Sequence, residues 1–413
     1  MPDKEYRDPI YGFISIDEVE QEVIDSWAFQ RLRHIAQLGT TSWVYPSACH
    51  TRFEHSLGTL QSTTLLFDHL VSHEQDRAIL EWDNATLREM RQILRLAALL
   101  HDIGQPPFSH ASEILLDVKS HEEYSRLIIT QTEISRLLEK KLGKNAPDKI
   151  ANIATGSGLL SKAESFISSL LTGDIGTDRV DYLIRDSHHL GVAYGRFDVH
   201  RLLNSLHILY DKDKMGPELA IDEGGVHSVE GLLLARYFMF LEVYFHKTRR
   251  ILDYHLQECL SQLLENGKYP TNIDDYLLWD DHKVLNLLQS RPTLNHTQRL
   301  LARKHFRCIC ETTDHPNGGE LVAFEWLWSE LKREFGILSL HFDEATKAPL
   351  NYRRPPLFML RENNKYESLA EKSTLIGKLE TIRKVRVYAE PTVRSTVQNY
   401  CETFLSERKL KER

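Results

Sequence analysis

At 413 residues, with 41% hydrophobic and 27% charged residues, the chain has a globular composition. It is long enough for two or three ordinary domains, or for one large core with an appendage. A net charge of -8 and a pI near 6.2 argue against a general nucleic-acid coat, because phosphate backbones select basic surfaces, but leave room for a local basic pocket. Five cysteines (Cys49, Cys259, Cys308, Cys310 and Cys401), an odd number, argue for reduced thiols in a cytoplasmic protein rather than a disulfide framework.

The first nine residues are charged and contain no apolar run, so no signal peptide is expected. Residues 32–38, 59–71, 87–101 and 113–142 read as helices from apolar residues recurring at three- and four-residue spacing. Residues 148–171 continue the helical pattern after a loop, and another helix starts at 178–189. The spacing extends through 199–209 and through 229–264, the latter read as one long, largely buried helix. Residues 211–225 between them are polar and glycine-containing, which suits a turn or short hairpin. The longest apolar tract, 231–245, is interrupted by Arg236 and Glu242 and falls short of the roughly 20 apolar residues of a membrane span.

Beyond Asn266 the texture changes. Residues 268–275 read as a loop, 276–289 and 294–310 as helices, 337–342, 357–360 and 384–389 as short strands, and 393–407 as a closing helix. The expected fold is mainly α: a helical bundle over residues 1–265, with a smaller α+β region over 266–413 packed on it.

Four stretches concentrate ligand-type side chains: His50-Thr51-Arg52-Phe53-Glu54-His55-Ser56, His101-Asp102, Pro107-Phe108-Ser109-His110, and Asp178-Arg179-Val180-Asp181-Tyr182. The His101-Asp102 doublet ends a helix whose last turn, 96–100, is wholly apolar. An imidazole and a carboxylate at the edge of a core are costly unless they are paired or bind a metal. A mixed nitrogen and oxygen set suits a divalent ion such as manganese, iron, zinc or cobalt. Each stretch alone is weak evidence; their order is far more specific.

That order, R-F-E-H-S-L-G, L-L-H-D-I-G, P-P-F-S-H and D-R-V-D-Y-L-I-R-D-S-H-H-L-G, resembles the HD-domain deoxynucleoside triphosphate triphosphohydrolases. The nearest branch is that typified by the sterile-alpha-motif and HD-domain protein, without the sterile-alpha-motif. The resemblance covers roughly the first 260 residues and resumes near 384–407. It implies a helical HD bundle, a divalent cofactor (Mn, Fe, Mg, Zn, Co or Ni), a deoxynucleoside triphosphate substrate and a homo-oligomer.

By position, His55, His101, Asp102 and Asp178 match the metal ligands. Arg52 matches a phosphate contact, and Arg179 replaces a phosphate-binding lysine, keeping the charge but changing the donor geometry. Tyr182 and Asp186 match residues that hold the sugar, Tyr244 lies where a tyrosine underlies the sugar ring, and Gln37 and Leu38 match positions beside the nucleoside. Arg236 and Lys247 match basic residues near the phosphates. Gln105 stands where the family has a histidine proposed to assist proton transfer, a role that an amide cannot fill by titrating. His110, His121 and Glu113 remain to protonate the leaving 5'-oxygen, so the resemblance implies slower or differently tuned chemistry. Asp25, Gln30, Arg33 and Arg201 match part of a site for an activating nucleotide, whereas Lys4-Glu5-Tyr6-Arg7 and Asp222 depart from it. Two rival readings stay open: an HD-type nucleotidase or phosphodiesterase acting on another nucleotide, and a weakly catalytic nucleotide-sensing regulator. Single-stranded nucleic-acid binding ranks last, because no basic stripe laced with aromatics is present.

Overall fold

The computed structural model describes residues 4–117, 120–158, 160–211, 216–350, 358–360 and 366–411. It is mainly helical, an HD-type bundle with small sheets toward the C-terminal end. The chain divides into two compact units: Met1–Arg236 with Lys268–Val284 and Asn351–Lys378, and Tyr237–Gly267 with Leu285–Leu350 and Leu379–Arg413. Both units are discontinuous in sequence, whereas the sequence reading had a single division after residue 265.

The first unit opens with an antiparallel hairpin, Lys4–Asp8 against Gly12–Ile16. Its central element is the Arg52–Ser72 helix, which buries Phe53, Leu57, Leu60, Leu66, Phe67 and Leu70. The Asn84–Leu100 and Thr177–Leu190 helices pack against it. Asp83 caps the Asn84–Leu100 helix by accepting from Thr86 N at 2.7 Å, and Leu96–Leu100 are all fully buried at the other end. Each such leucine contributes roughly 1.5–3 kcal/mol, which anchors the chain immediately before His101-Asp102. No described helix is long and apolar enough to cross a membrane.

Several expected elements differ in kind. Residues 32–38 do not form a continuous helix: a 3-10 turn, Arg31–His34, is followed by extended backbone, with Ala36 bridged to Thr51. Ile35 O accepts from Arg52 N and Gln37 N donates to His50 O, both at 3.0 Å, so tertiary partners take the groups a helix would use. The expected 113–142 helix is a 3-10 turn, Glu113–Leu115, then helices His121–Gln131 and Glu133–Leu142, divided where Thr132 Oγ1 caps Ile134 N; residues 118 and 119 lie outside the described residues. Residues 148–171 form two helices, Ala146–Thr155 and Lys162–Thr172, the first ended by Gly156 at φ +63° and the second opened by a Ser161–Glu164 capping box; residue 159 is outside the description.

The 199–209 helix stops at Asn204. Leu206–Asp211 instead pairs with Gly216–Asp222, extending the expected hairpin, of which residues 212–215 are not described. Phe358–Leu360 and Tyr366–Ser368 complete that sheet; residue 357, also expected in a strand, lies outside the described residues.

The expected 229–264 helix is broken, and its residues from Tyr237 on belong to the second unit. Val226–Met239 runs into a π-helical turn, Phe240–Tyr244, and His246 caps a new helix, Lys247–Leu263, by accepting from Thr248 N. Of the expected 294–310 helix only Asn295–Leu301 is helical, and Arg307–Glu311 is a strand. That strand, Leu340–Lys347 and Ile382–Ala389 form an antiparallel sheet with Ile382–Ala389 in the middle. It shares a core with the Gly318–Phe335 helix, which the sequence reading missed, and with the Arg394–Lys411 helix, through Leu327, Leu331, Val387 and Val397.

This unit also holds histidines whose surroundings disfavour the charged form. His255 is fully enclosed beside His296, accepts from Phe306 N at 3.2 Å, and is pushed down to about 2 by burial, His296 and Arg299. Burial and Arg299 push His296 down to about 4, and burial likewise takes His341 to about 4. A depressed imidazole adds stability above its unfolded value, near 6.5, and loses it as pH falls. The second unit is therefore expected to lose stability as pH falls from about 6.5, through about 4 for His296 and His341 and on to about 2 for His255, and His255→Phe to flatten that dependence in denaturant titrations. An equal loss in the variant would refute it.

Candidate metal centre and its surroundings

Three separated segments deliver the candidate ligands. His55 lies in the first turn of the Arg52–Ser72 helix, His101 and Asp102 follow the Asn84–Leu100 helix, and Asp178 lies in the first turn of the Thr177–Leu190 helix. His55 Nε2 is 3.1 Å from Asp178 Oδ1 and 3.6 Å from Asp102 Oδ2. His101 Nε2 is 3.4 Å from Asp102 Oδ2 and 3.5 Å from Asp178 Oδ1. The four residues that the sequence separates by more than a hundred positions are thus brought together.

The hydrogen bonds at the far sides of the rings set their orientation. His101 Nδ1 donates to Ala98 O at 2.8 Å, and His55 Nδ1 donates to Asp181 Oδ2 at 2.8 Å. Each Nε2 is therefore the nitrogen left facing the carboxylates, the one that can turn a lone pair to a metal once its proton is lost. His101 Nε2 is buried with no hydrogen-bond partner among the described residues. Burial opposes charge on both imidazoles, yet Asp102 and Asp178 around His101, and Asp178 and Asp181 around His55, push both upward. Burial also opposes charge on Asp102, but Arg52 and His101 hold it well below the usual carboxylate range. Two imidazole Nε2 atoms and two carboxylates converge on one point, and the carboxylate field calls for positive charge. A divalent ion fits this donor set.

Sequence reasoning passed over the support of the site. Asp181 receives Arg185 through Nε and Nη2, both at 2.9 Å, and Arg185 Nη1 reaches Asp8 at 2.8 Å. Arg185 has no exposed surface. Gly58 makes the approach possible: a Cβ there would lie 2.0 Å from both Arg185 Nη2 and Asp181 Oδ1. The four-residue spacing of Asp181 and Arg185 was the available signal, because it places them on one helix face. Gly104 does similar work beyond the doublet, where a Cβ would meet Ser125 N at 2.2 Å and His121 O at 2.4 Å.

Arg52 is buried and donates to Asp102 Oδ2, to Ser109 Oγ at 2.9 Å and to Gln37 O at 3.2 Å. Leu38, beside Gln37, is partly exposed. Gln105 is fully buried, and its Nε2 donates to Asp102 Oδ1 at 3.3 Å. His121 Nε2 lies 3.7 Å from the same oxygen, and its Nδ1 is on Glu113 Oε1. Glu113 Oε2 meets His110 Nδ1 at 2.7 Å. A His110–Glu113–His121 chain thus leads from an exposed imidazole toward Asp102. Burial opposes the Glu113 charge, but the two imidazoles hold its carboxyl well below the ordinary range.

Other sequence candidates are placed as follows. Arg179 is tied to Asp174 through its carbonyl at 2.9 Å and its carboxylate at 2.7 Å. Tyr182 packs edge-on to His55 and is hydrogen-bonded to buried Arg236. Asp186 is held by His50 Nε2 at 2.8 Å, and His50 stacks on His189, two partners to which no role was assigned from the sequence. Tyr244 and Lys247 belong to the second unit, where Tyr244 closes the π-helical turn and Lys247 O accepts from Tyr388. Asp25, Gln30 and Arg33 have local partners: Gln21 donates to Asp25 at 2.8 Å and Arg33 to Gln30 at 2.8 Å. Arg201 donates to Gly224 O at 2.9 Å.

Comparison with known proteins adds to this geometry. Residues 52–183 match the HD domain, and residues 197–317 match the HD associated region. The crystal structure of a hypothetical protein from Aquifex aeolicus matches with a TM-score of 0.83 and 33% identity, covering 96% of this chain and 99% of that one. The uncharacterized protein YwfO of Bacillus subtilis is 28% identical over 92% of this chain and 90% of its own length. A Dictyostelium discoideum protein named deoxynucleoside triphosphate triphosphohydrolase SAMHD1 homolog is 28% identical over 66% of this chain. The match spans 53% of that protein's length.

Proposed function

The chain belongs to the HD-domain phosphohydrolases that carry an HD associated region, and on that premise we propose that it hydrolyses deoxynucleoside triphosphates to deoxynucleoside and inorganic triphosphate. The observation that carries the reading is the convergence of His55, His101, Asp102 and Asp178 beside the Arg52 guanidinium. The similarity to the Dictyostelium triphosphohydrolase supports the substrate class.

His55, His101, Asp102 and Asp178 would hold a divalent ion, which would supply Lewis acidity and lower the pKa of a water at the site. Arg52, fixed by Ser109 and the Gln37 carbonyl, presents its planar fork to phosphate oxygens, and Arg179 adds a second positive charge as negative charge develops. His110, Glu113 and His121 carry a proton toward the departing 5'-oxygen, whose bond to the α-phosphorus breaks as the oxygen of the attacking water bonds to that phosphorus. Asp186, steadied by His50, and Tyr182 hold the sugar. A homo-oligomer, and an activating nucleotide read by Asp25, Gln30, Arg33 and Arg201, belong to the same proposal.

Gln105 favours a second reading, a regulator that binds nucleotide and turns it over slowly, because its buried amide orients Asp102 without titrating. One panel separates the readings: four deoxynucleoside triphosphates, four ribonucleoside triphosphates and several monophosphates, each with Mn²⁺ or Mg²⁺ and resolved by chromatography. Release of inorganic triphosphate from the deoxy series is expected. Phosphate and nucleoside from monophosphates would favour an HD nucleotidase, and binding without product the sensor. His110→Ala and His121→Ala are each expected to lower the rate by roughly 100-fold or more, and Gln105→Ala by less than about tenfold. The reverse order would reassign the proton donor.

A further inference from the structure

Asp281 has no part in the chemistry above, yet its two oxygens join the two segments that hold Arg52. It lies in the HD associated region, in the first unit, and is buried. Its Oδ1 accepts from Phe108 N at 2.6 Å and its Oδ2 from Ala36 N at 2.9 Å. Those amides lie 173 and 245 positions away in the chain. Ser109 Oγ, next to Phe108, accepts from Arg52 Nε at 2.9 Å and donates to Ala36 O at 2.6 Å. Gln37, next to Ala36, gives its carbonyl to Arg52 Nη2 at 3.2 Å.

The Phe108–Ser109 turn does not relax into this shape unaided. Phe108 has φ +59° and Ser109 φ +53°, two successive side-chain-bearing residues in the left-handed region. Each costs on the order of 1–3 kcal/mol and persists only where surrounding contacts over-determine it. Asp281 supplies one such contact on the Phe108 amide, and the Phe108 carbonyl lies too close to Gly39 to admit a side chain there, at 2.6 Å from where a Cβ would be. Arg31 ties the same region from the other side, donating to Trp279 O at 2.7 Å and Gln105 O at 2.9 Å.

We propose that Asp281 is a positioning residue: it ties the Ala36 and Phe108 segments together, so that Ser109 and the Gln37 carbonyl fix the Arg52 guanidinium beside Asp102. The functional consequence rests on the reading of Arg52 as a phosphate contact. An asparagine offers one acceptor oxygen and turns an N–H group toward the other backbone amide, so Asp281→Asn loses one of the two ties.

The test uses the full-length Mn²⁺-loaded protein. Hydrogen exchange followed by mass spectrometry should show Asp281→Asn exchanging at least about tenfold faster in peptides covering 35–39 and 106–112, with the rest of the first unit unchanged. Affinity for inorganic triphosphate and kcat with a deoxynucleoside triphosphate should each fall by roughly tenfold or more. The Asp281→Asn, Ser109→Ala double variant should be no worse than Ser109→Ala alone within about threefold, because both act through Arg52. Unchanged exchange, or fully additive effects, would overturn the proposal. Should Asp281→Asn fail to fold, Asp281→Glu keeps both acceptors on a longer arm and is expected to loosen the same two segments only. A wild-type protein that hydrolyses no deoxynucleoside triphosphate would sink the substrate reading alone, since exchange and inorganic triphosphate binding still decide the role of Asp281.

Discussion

Asp102→Asn is expected to reduce hydrolysis by roughly 1,000-fold and to release most of the bound divalent ion. Asp102 touches more of the site than any other candidate ligand. Its Oδ2 meets Arg52 and lies 3.4 and 3.6 Å from the two ligand imidazoles, while its Oδ1 receives Gln105 and faces His121. An amide there keeps the volume but removes the negative charge, so Arg52 is left buried without its counter-ion and the donor set loses an anionic oxygen. Metal content by elemental analysis and turnover of the preferred nucleotide should fall together. Retention of both metal and rate would show that the four residues do not form the centre.

The second large effect concerns a residue that never meets substrate. Asp181→Ala is expected to destabilise the first unit by about 3–5 kcal/mol, because it removes one partner from a buried charge network. Arg185, with no exposed surface, would keep only Asp8, and His55 Nδ1 would lose its carboxylate acceptor and keep only Thr59 Oγ1 at 3.4 Å. Affinity for the divalent ion should drop about 10–100-fold as the His55 ring loses its orientation. Thermal melting and metal titration read the two parts separately. An unchanged melting temperature would mean that water or another group satisfies Arg185, and the network argument would fail. Replacing Asp181 and Arg185 together by apolar residues of similar volume should cost less than Asp181→Ala alone, since no guanidinium is then stranded and Asp8 keeps the Ile10 and Tyr11 amides.

Much of the site was legible because its residues sit at element ends marked by local chemistry. The apolar run before His101-Asp102 announced a buried helix with two polar groups at its exit, and the order of four short motifs led to a family. Helices with one strong apolar face, such as Asn84–Leu100 and Thr177–Leu190, were read in nearly the right place, since their periodicity is written in consecutive residues. Where the reading failed, backbone groups had found distant partners. Residues 35–37 follow His50, Arg52 and Asp281 instead of their own helical propensity, and Leu206–Asp211 follows its pairing with Gly216–Asp222. The Gly318–Phe335 helix escaped notice because it buries only Phe324, Leu327 and Leu331, a stripe narrower than the pattern sought.

The sequence by itself determined the types and order of the candidate ligands, the mainly helical class and the absence of an apolar run long enough to cross a membrane, all of which reside in residue identity and short-range spacing. Only the tertiary structure decided which nitrogen of each histidine faces the carboxylates, that Asp181 and Arg185 stand behind His55, and that Asp281 ties Ala36 to Phe108. Those facts depend on hydrogen bonds between residues up to 245 positions apart. A buried donor or acceptor takes whichever partner the fold brings within about 3 Å, and sequence spacing carries no record of that choice.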